Sequence, residues 1–152
     1  MCAPAINNYQ LIPTALMNKK DMVMECLSRL GYLPMLDEDG DVCFIFQLKM
    51  LYVAIGDMDE QFLTVIYPYV SVIDDDESPA SAFIVSNKMT RELRMMKTFV
   101  ASDLQRVDAT VDFYYYDEDS LLQNMEHALT VLGCARRMFA RAHNEIMSSD
   151  SD

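Results

Sequence analysis

"LDEDGDVCFIFQL", Leu36 to Leu48, is the stretch on which the fold turns. Asp37, Asp39 and Asp41 alternate around Gly40 like the opening of an EF-hand calcium loop. Counted from Asp37, such a loop needs glycine at its sixth position, a bidentate glutamate at its twelfth and a helix on either side. Val42 and Leu48 occupy those positions. From Val42 onward the period is two: Val42, Phe44, Phe46 and Leu48 alternate with Cys43, Ile45 and Gln47, which is the pattern of a strand. Asp39-Gly40 between two extended apolar runs is a hairpin-turn signal, because both residues tolerate the positive φ angles of a tight turn. The stretch therefore reads as the first turn of an antiparallel meander.

The flanking chain extends that reading. Asn18 with Asp21 caps a helix in which Met22, Val23, Cys26, Leu27 and Leu30 recur at helical spacing until Gly31. After "VCFIFQL", the segments "MLYVAI" and "FLTVIYPYVSV" are rich in β-branched and aromatic residues and predict two more strands. Pro68 cannot donate a ladder hydrogen bond, so the third strand is expected to lie at an edge or to carry a bulge there. Ser78 as cap and Pro79 at the first helical position open a second helix reaching about Thr90. "MMKTFVAS" and "VDATVDFYYY" form a hairpin. Val107, Ala109, Val111, Phe113 and Tyr115 share one face of it, and Asp108, Thr110, Asp112, Tyr114 and Tyr116 the other. Ser120, with Gln123 as its capping-box partner, starts a long amphipathic helix carrying Leu122, Met125, Leu129, Leu132, Phe139 and Ile146 on its apolar side. The expected architecture is a two-layer α+β domain of order α-β-β-β-α-β-β-α, with a five-stranded antiparallel sheet and the long C-terminal helix packed on it. Residues 18–147 form the single domain, 1–17 an N-terminal extension and 148–152 a disordered acidic tail.

Composition narrows the function. The chain has 152 residues, 51% of them hydrophobic, enough for one real core. A net charge of −12 disfavours nucleic acid and anionic membranes as partners, since both are bound through basic surface. Cys2, Cys26, Cys43 and Cys134 are widely spaced, without the C-x-x-C pairs of a zinc site, and read as free thiols. No run reaches the length of a membrane span and the N-terminus lacks a signal-peptide pattern, so a cytoplasmic location is expected. The four glycines are scattered, which removes the familiar phosphate loops. His127 and His143 lie about 24 Å apart along the last helix, and no nucleophile sits in a recognisable elbow. A non-enzymatic role without catalytic residues, cofactor or metal follows. The rival reading is a small-ligand or divalent-metal sensor using the acidic turns around Asp37, Asp57 and Asp117. Thirteen methionines suit either core filling or surfaces that accept varied apolar ligands. The series Lys88, Arg91, Arg94 and Lys97, against eleven acids and only Lys49 between Asp37 and Glu77, either joins two copies or balances a local field.

The order of elements, together with "LGYLPMLDEDGDVCFIF", "SPASAFIVSNKM", "MKTFVAS…VDATVDFYY" and "LLQNMEHALTVLGCARRMFARA", resembles the YbjN-type family, described as bacterial sensory transduction regulators, which shares its fold with the type III secretion chaperones. The resemblance covers about Lys20 to His143. It implies a small, acidic protein, usually dimeric, that holds an extended segment of a partner protein, and it implies no catalytic residue. The methionine-rich core and the "FYYY" strand depart from what either branch explains. Tyr114 and Tyr116, which alternate away from Val111, Phe113 and Tyr115, are the candidate partner-binding residues; their other role would be packing beneath the second helix.

Overall fold

A computed structural model describes residues 17–149 of the chain. The expected N-terminal extension and the acidic end of the tail lie outside the described residues, Met17 excepted. Helix α1 (Lys19–Arg29) begins where the Asn18 side chain accepts the Asp21 N–H at 2.9 Å. It stops at Gly31, whose φ of +95° few other residues adopt cheaply. Strands β1 (Met35–Leu36), β2 (Val42–Phe46), β3 (Lys49–Ala54) and β4 (Phe62–Val72) follow. Then come α2 (Ala80–Glu92), β5 (Met96–Val100), β6 (Arg106–Tyr114), α3 (Glu118–Leu132) and α4 (Ala135–Ser149). Ser148 and Ser149, assigned to the tail from the sequence, are helical.

The antiparallel sheet has six strands, in the order β1-β2-β3-β4-β6-β5, and not five. The additional one, β1, is created by the acidic turn. The Asp37 N–H donates to Asp41 O at 2.8 Å, and the Asp37 carboxylate accepts the N–H groups of Asp39 and Asp41, each at 2.9 Å. That closed turn holds Met35 opposite Cys43 and Leu36 opposite Val42. Pro34, which has no N–H, stops the pairing there.

Strand β4 lies inside the sheet, between β3 and β6, so the edge placement for Pro68 is wrong and the bulge is right. Tyr67 pairs with Ala109 and Ser71 with Val107, which leaves Pro68, Tyr69 and Val70 opposite one partner residue. Tyr69 adopts φ +57° within it.

The single C-terminal helix is two helices. They part at Gly133, where a Cβ would sit 3.2 Å from Leu129 O and 3.4 Å from the Phe46 ring; the break lets the chain press onto the end of β2. It also redirects the chain: α3 packs on α1 and β6, α4 on α2 and β4. Asp117, not Ser120, caps α3. Its carboxylate accepts the Ser120 N–H at 2.8 Å while the Ser120 hydroxyl accepts the Asp117 N–H, a reciprocal capping box. Helix α2 starts one residue later than expected, with Pro79 as its cap.

The link between β2 and β3 is the two-residue turn Gln47-Leu48, with φ of +49° and +66°. Such a turn matches strand twist but favours Asn-Gly. Leu48 is 93% exposed and gains nothing from burial there. Leu48→Gly is therefore expected to raise stability by about 1 kcal/mol in urea unfolding, from relief of the left-handed backbone.

Candidate functional site: the open face of the sheet

Paired residues in adjacent strands share a face, so the register defines two surfaces. Leu36, Val42, Val53, Val65, Val111 and Met96 form one row across all six strands. All but Leu36 are buried, and they share a core with Val23 and Leu27 of α1, Val85 of α2, Leu121 of α3 and Phe139 of α4. The adjacent row, Met35, Cys43, Tyr52, Ile66, Thr110 and Lys97, points the other way. Among the described residues no helix covers that side.

The open face is apolar to an unusual degree for a solvated surface. Ile45 is 53% exposed, Phe99 43% and Tyr114 69%, while Met50, Tyr52, Phe62 and Ile66 are half-buried. Phe62 and Tyr114, opposite one another in β4 and β6, hold their rings 4.8 Å apart. Tyr116, 83% exposed, follows just beyond β6. Both candidate tyrosines are thus solvent-facing, and neither packs beneath α2. A groove of about 610 Å³ crosses the face, lined by Tyr52, Ile66, Pro68, Phe99 and Thr110, by the Asp37–Asp41 turn, and by Arg106 and Asp108.

The polar groups on this face are organised. Asp108 is buried although its alternation with Val107 and Ala109 places it outside. It accepts the Tyr69 N–H of the bulge at 3.0 Å and the Arg106 Nε at 3.1 and 3.2 Å. Arg106 also reaches Asp103 at 3.3 Å and lies 4.9 Å over the Tyr69 ring; its hydrogen bond to Asp108 holds its pKa above the usual value. Burial works to raise the Asp112 pKa, but hydrogen bonds from Lys97 and the Thr64 hydroxyl outweigh it and hold the carboxyl below its ordinary 3.8. A carboxyl whose pKa is lower folded than unfolded contributes stability that is fully present above 3.8 and is lost as pH falls below that value through the lower folded pKa. Asp112→Asn is expected to flatten the acid limb of stability below pH 3.8 in urea melts at successive pH values.

The acidic turns do meet at one end of the sheet: the Asp41 carboxylate accepts the Ile55 N–H at 3.0 Å, and Tyr115 N–H bonds Gln61 O at 3.0 Å. Their carboxylates staple backbone instead of converging. Asp57 accepts the Asp59 N–H, and Asp117 caps α3. Among the described residues no group of three or more histidine, cysteine, aspartate or glutamate side chains could hold a metal ion. His143 is within 3.0 Å of the Ser81 hydroxyl and stacks on Phe139, whereas His127 is exposed. Cys26 and Cys43 are buried; burial pushes the Cys26 thiol up to about 11. Cys134 is half-exposed, and Cys2 lies outside the described residues. Lys88 pairs with Glu145 at 3.9 Å and Lys97 with Asp112, so half of the basic series serves local balance. No described helix is long and apolar enough to cross a membrane.

Ile45, Tyr52, Ile66 and Phe99 were not singled out from the sequence. The signal for two of them was present in "VCFIFQL" and "MKTFV", where Ile45 and Phe99 are apolar at positions that alternate away from the core, beside polar Gln47 and Lys97.

Residues 18–144 match the family described as T3SS (YopN, CesT) and YbjN peptide-binding chaperone 1. The chain belongs to this family. Membership bears out the resemblance read from the sequence, and the family is one of peptide-binding chaperone domains. A crystal structure of an uncharacterized protein from Methanothermobacter thermautotrophicus is similar in fold, with a TM-score of 0.52 at 10% identity, over 81% of this chain and 97% of that one. No curated protein matches the chain at a significant level.

Proposed function

We propose that the chain is a non-enzymatic protein-binding module, a YbjN-type regulator or secretion-chaperone-like protein that holds an extended segment of a partner on the open face of its sheet. The observation that carries this reading is the asymmetry of the two layers among the described residues: four helices cover one face, while the other presents Ile45, Phe99 and Tyr114 to solvent. Contiguous apolar surface of that kind is costly to leave wet and marks an interaction site. Docking on the face is favoured over strand addition at the β5 edge. Thr90 Oγ1 there accepts the outward Thr98 N–H at 2.9 Å and lies 3.1 Å from its carbonyl, occupying groups an added strand would need.

Tyr114 and Tyr116 supply the aromatic contacts at the acidic end of the face. The working form is a cytoplasmic homodimer. Half-exposed Phe83 and Ile84 of α2, with Arg91 in its last turn and Arg94 just beyond it, neither of which makes an ion pair with described residues, offer the surface for a second copy. Light scattering across a concentration series should give twice the monomer mass.

The tagged chain should retain a co-expressed partner in a pull-down, and Tyr114→Ala with Tyr116→Ala should weaken that retention on the order of tenfold. Unchanged retention would remove these two residues from the site. Retention that also survives Ile45→Asp and Phe99→Asp would remove the face.

A further inference from the structure

We propose that the segment docked on the open face is cationic as well as apolar: an extended stretch whose large apolar side chains settle over Tyr52, Ile66 and Phe99 and whose lysine or arginine reaches the Asp37–Asp41 turn. The inference rests on the reading of the open face as the docking surface and adds the chemistry of the occupant.

Charge bookkeeping on that face is lopsided. Its two cations are already engaged, Lys97 with Asp112 and Arg106 with Asp103 and Asp108. The anions of the turn are not. Asp37 and Asp41 use one carboxylate oxygen each on backbone N–H groups, and none of Asp37, Glu38, Asp39 and Asp41 forms an ion pair among the described residues. The Lys20 ammonium lies by Gly40 but forms no ion pair with the four carboxylates. The same groove that bears these four carboxylates is walled by Tyr52, Ile66 and Phe99. An apolar segment bearing acidic residues would meet repulsion there. One bearing lysine or arginine would neutralise the turn while its alkyl stem lies on aromatic surface, where a cation also gains from the ring face.

The test uses three fluorescein-labelled peptides of about ten residues, the length of a long strand. They share one Phe-Ser-Leu-Ser-Val core and carry lysines, serines or glutamates on both sides. In anisotropy titrations at low salt, the lysine peptide should bind about tenfold tighter than the serine peptide, and the glutamate peptide weakest. High salt should close the gap. Glu38→Lys with Asp39→Lys keeps the Asp37 and Asp41 staples of the turn. It should abolish the lysine peptide's advantage and leave the serine peptide unchanged. Phe99→Ala should weaken the lysine and serine peptides alike. Equal binding of those two peptides, or a preference that survives the double reversal, overturns the cationic inference while leaving the docking face in place. A lysine peptide indifferent to Phe99→Ala is held as a counterion and overturns it too. If none of the three binds, the docking reading itself fails.

Discussion

Asp108→Ala is expected to lower the unfolding free energy by about 2 kcal/mol, the scale for stranding a backbone donor and removing a charge-assisted hydrogen bond. The residue looks like an exposed position of an alternating strand, yet only 6% of its surface is accessible. Its carboxylate joins two groups, the Tyr69 N–H in the β4 bulge and the Arg106 Nε, while Arg106 Nη1 reaches Asp103. Truncation strands a donor at a backbone position already in the left-handed region and releases the cation that stacks on Tyr69. Asp108→Asn retains an acceptor for Tyr69 and should cost about half as much. Urea unfolding of the three proteins measures both; a loss no larger for Ala than for Asn would mean that the bulge does not depend on this side chain.

The second large effect concerns binding. Phe99→Ala should weaken a docked cationic-apolar peptide by about 2 kcal/mol, or roughly thirtyfold, the scale of an aromatic anchor at an interface. Phe99 is 43% exposed and sits opposite Asp108, on the wall of the groove and outside the core. Its truncation should therefore move the unfolding midpoint little. Anisotropy titration and urea unfolding on the same variant separate the two effects. Weaker binding with matching destabilisation would make Phe99 a structural residue.

How far the sequence announced this structure depends on the range of each signal. The Asn18 cap, the Asp39-Gly40 turn, and the alternation of β2 and β6 are local, and the structure holds them, except that β2 ends at Phe46 and Gln47 and Leu48, read as its continuation, form the turn to β3. Strand β1 was invisible because two residues after a proline show no period, and only the closed acidic turn brings them to β2. The position of β4 stayed open between edge and bulge because a proline argues for an edge, while a bulge with a side-chain acceptor from the neighbouring strand also accommodates it, as it does here. The break at Gly133 was hidden because Leu129, Leu132 and Phe139 keep an apolar stripe through it. In "YDEDS" several residues can cap, and only geometry chooses Asp117.

The site follows the same logic. The solvent-facing placement of Tyr114 and Tyr116 was legible from alternation alone. That Ile45, Tyr52, Ile66 and Phe99 join them on one uncovered surface was not, because it requires strand order and the knowledge that all four helices take the opposite side.

The central claim, that the uncovered sheet face holds an extended peptide, is tested most directly by backbone amide shift mapping. The 15N-labelled protein would be titrated with the lysine-flanked peptide. Shifts concentrated on Ile45, Tyr52, Ile66, Phe99, Thr110 and Tyr114, with α1 to α4 quiet, are the result the account predicts. Shifts confined to the outer sides of α2 and α4, or none at saturating peptide, would contradict it.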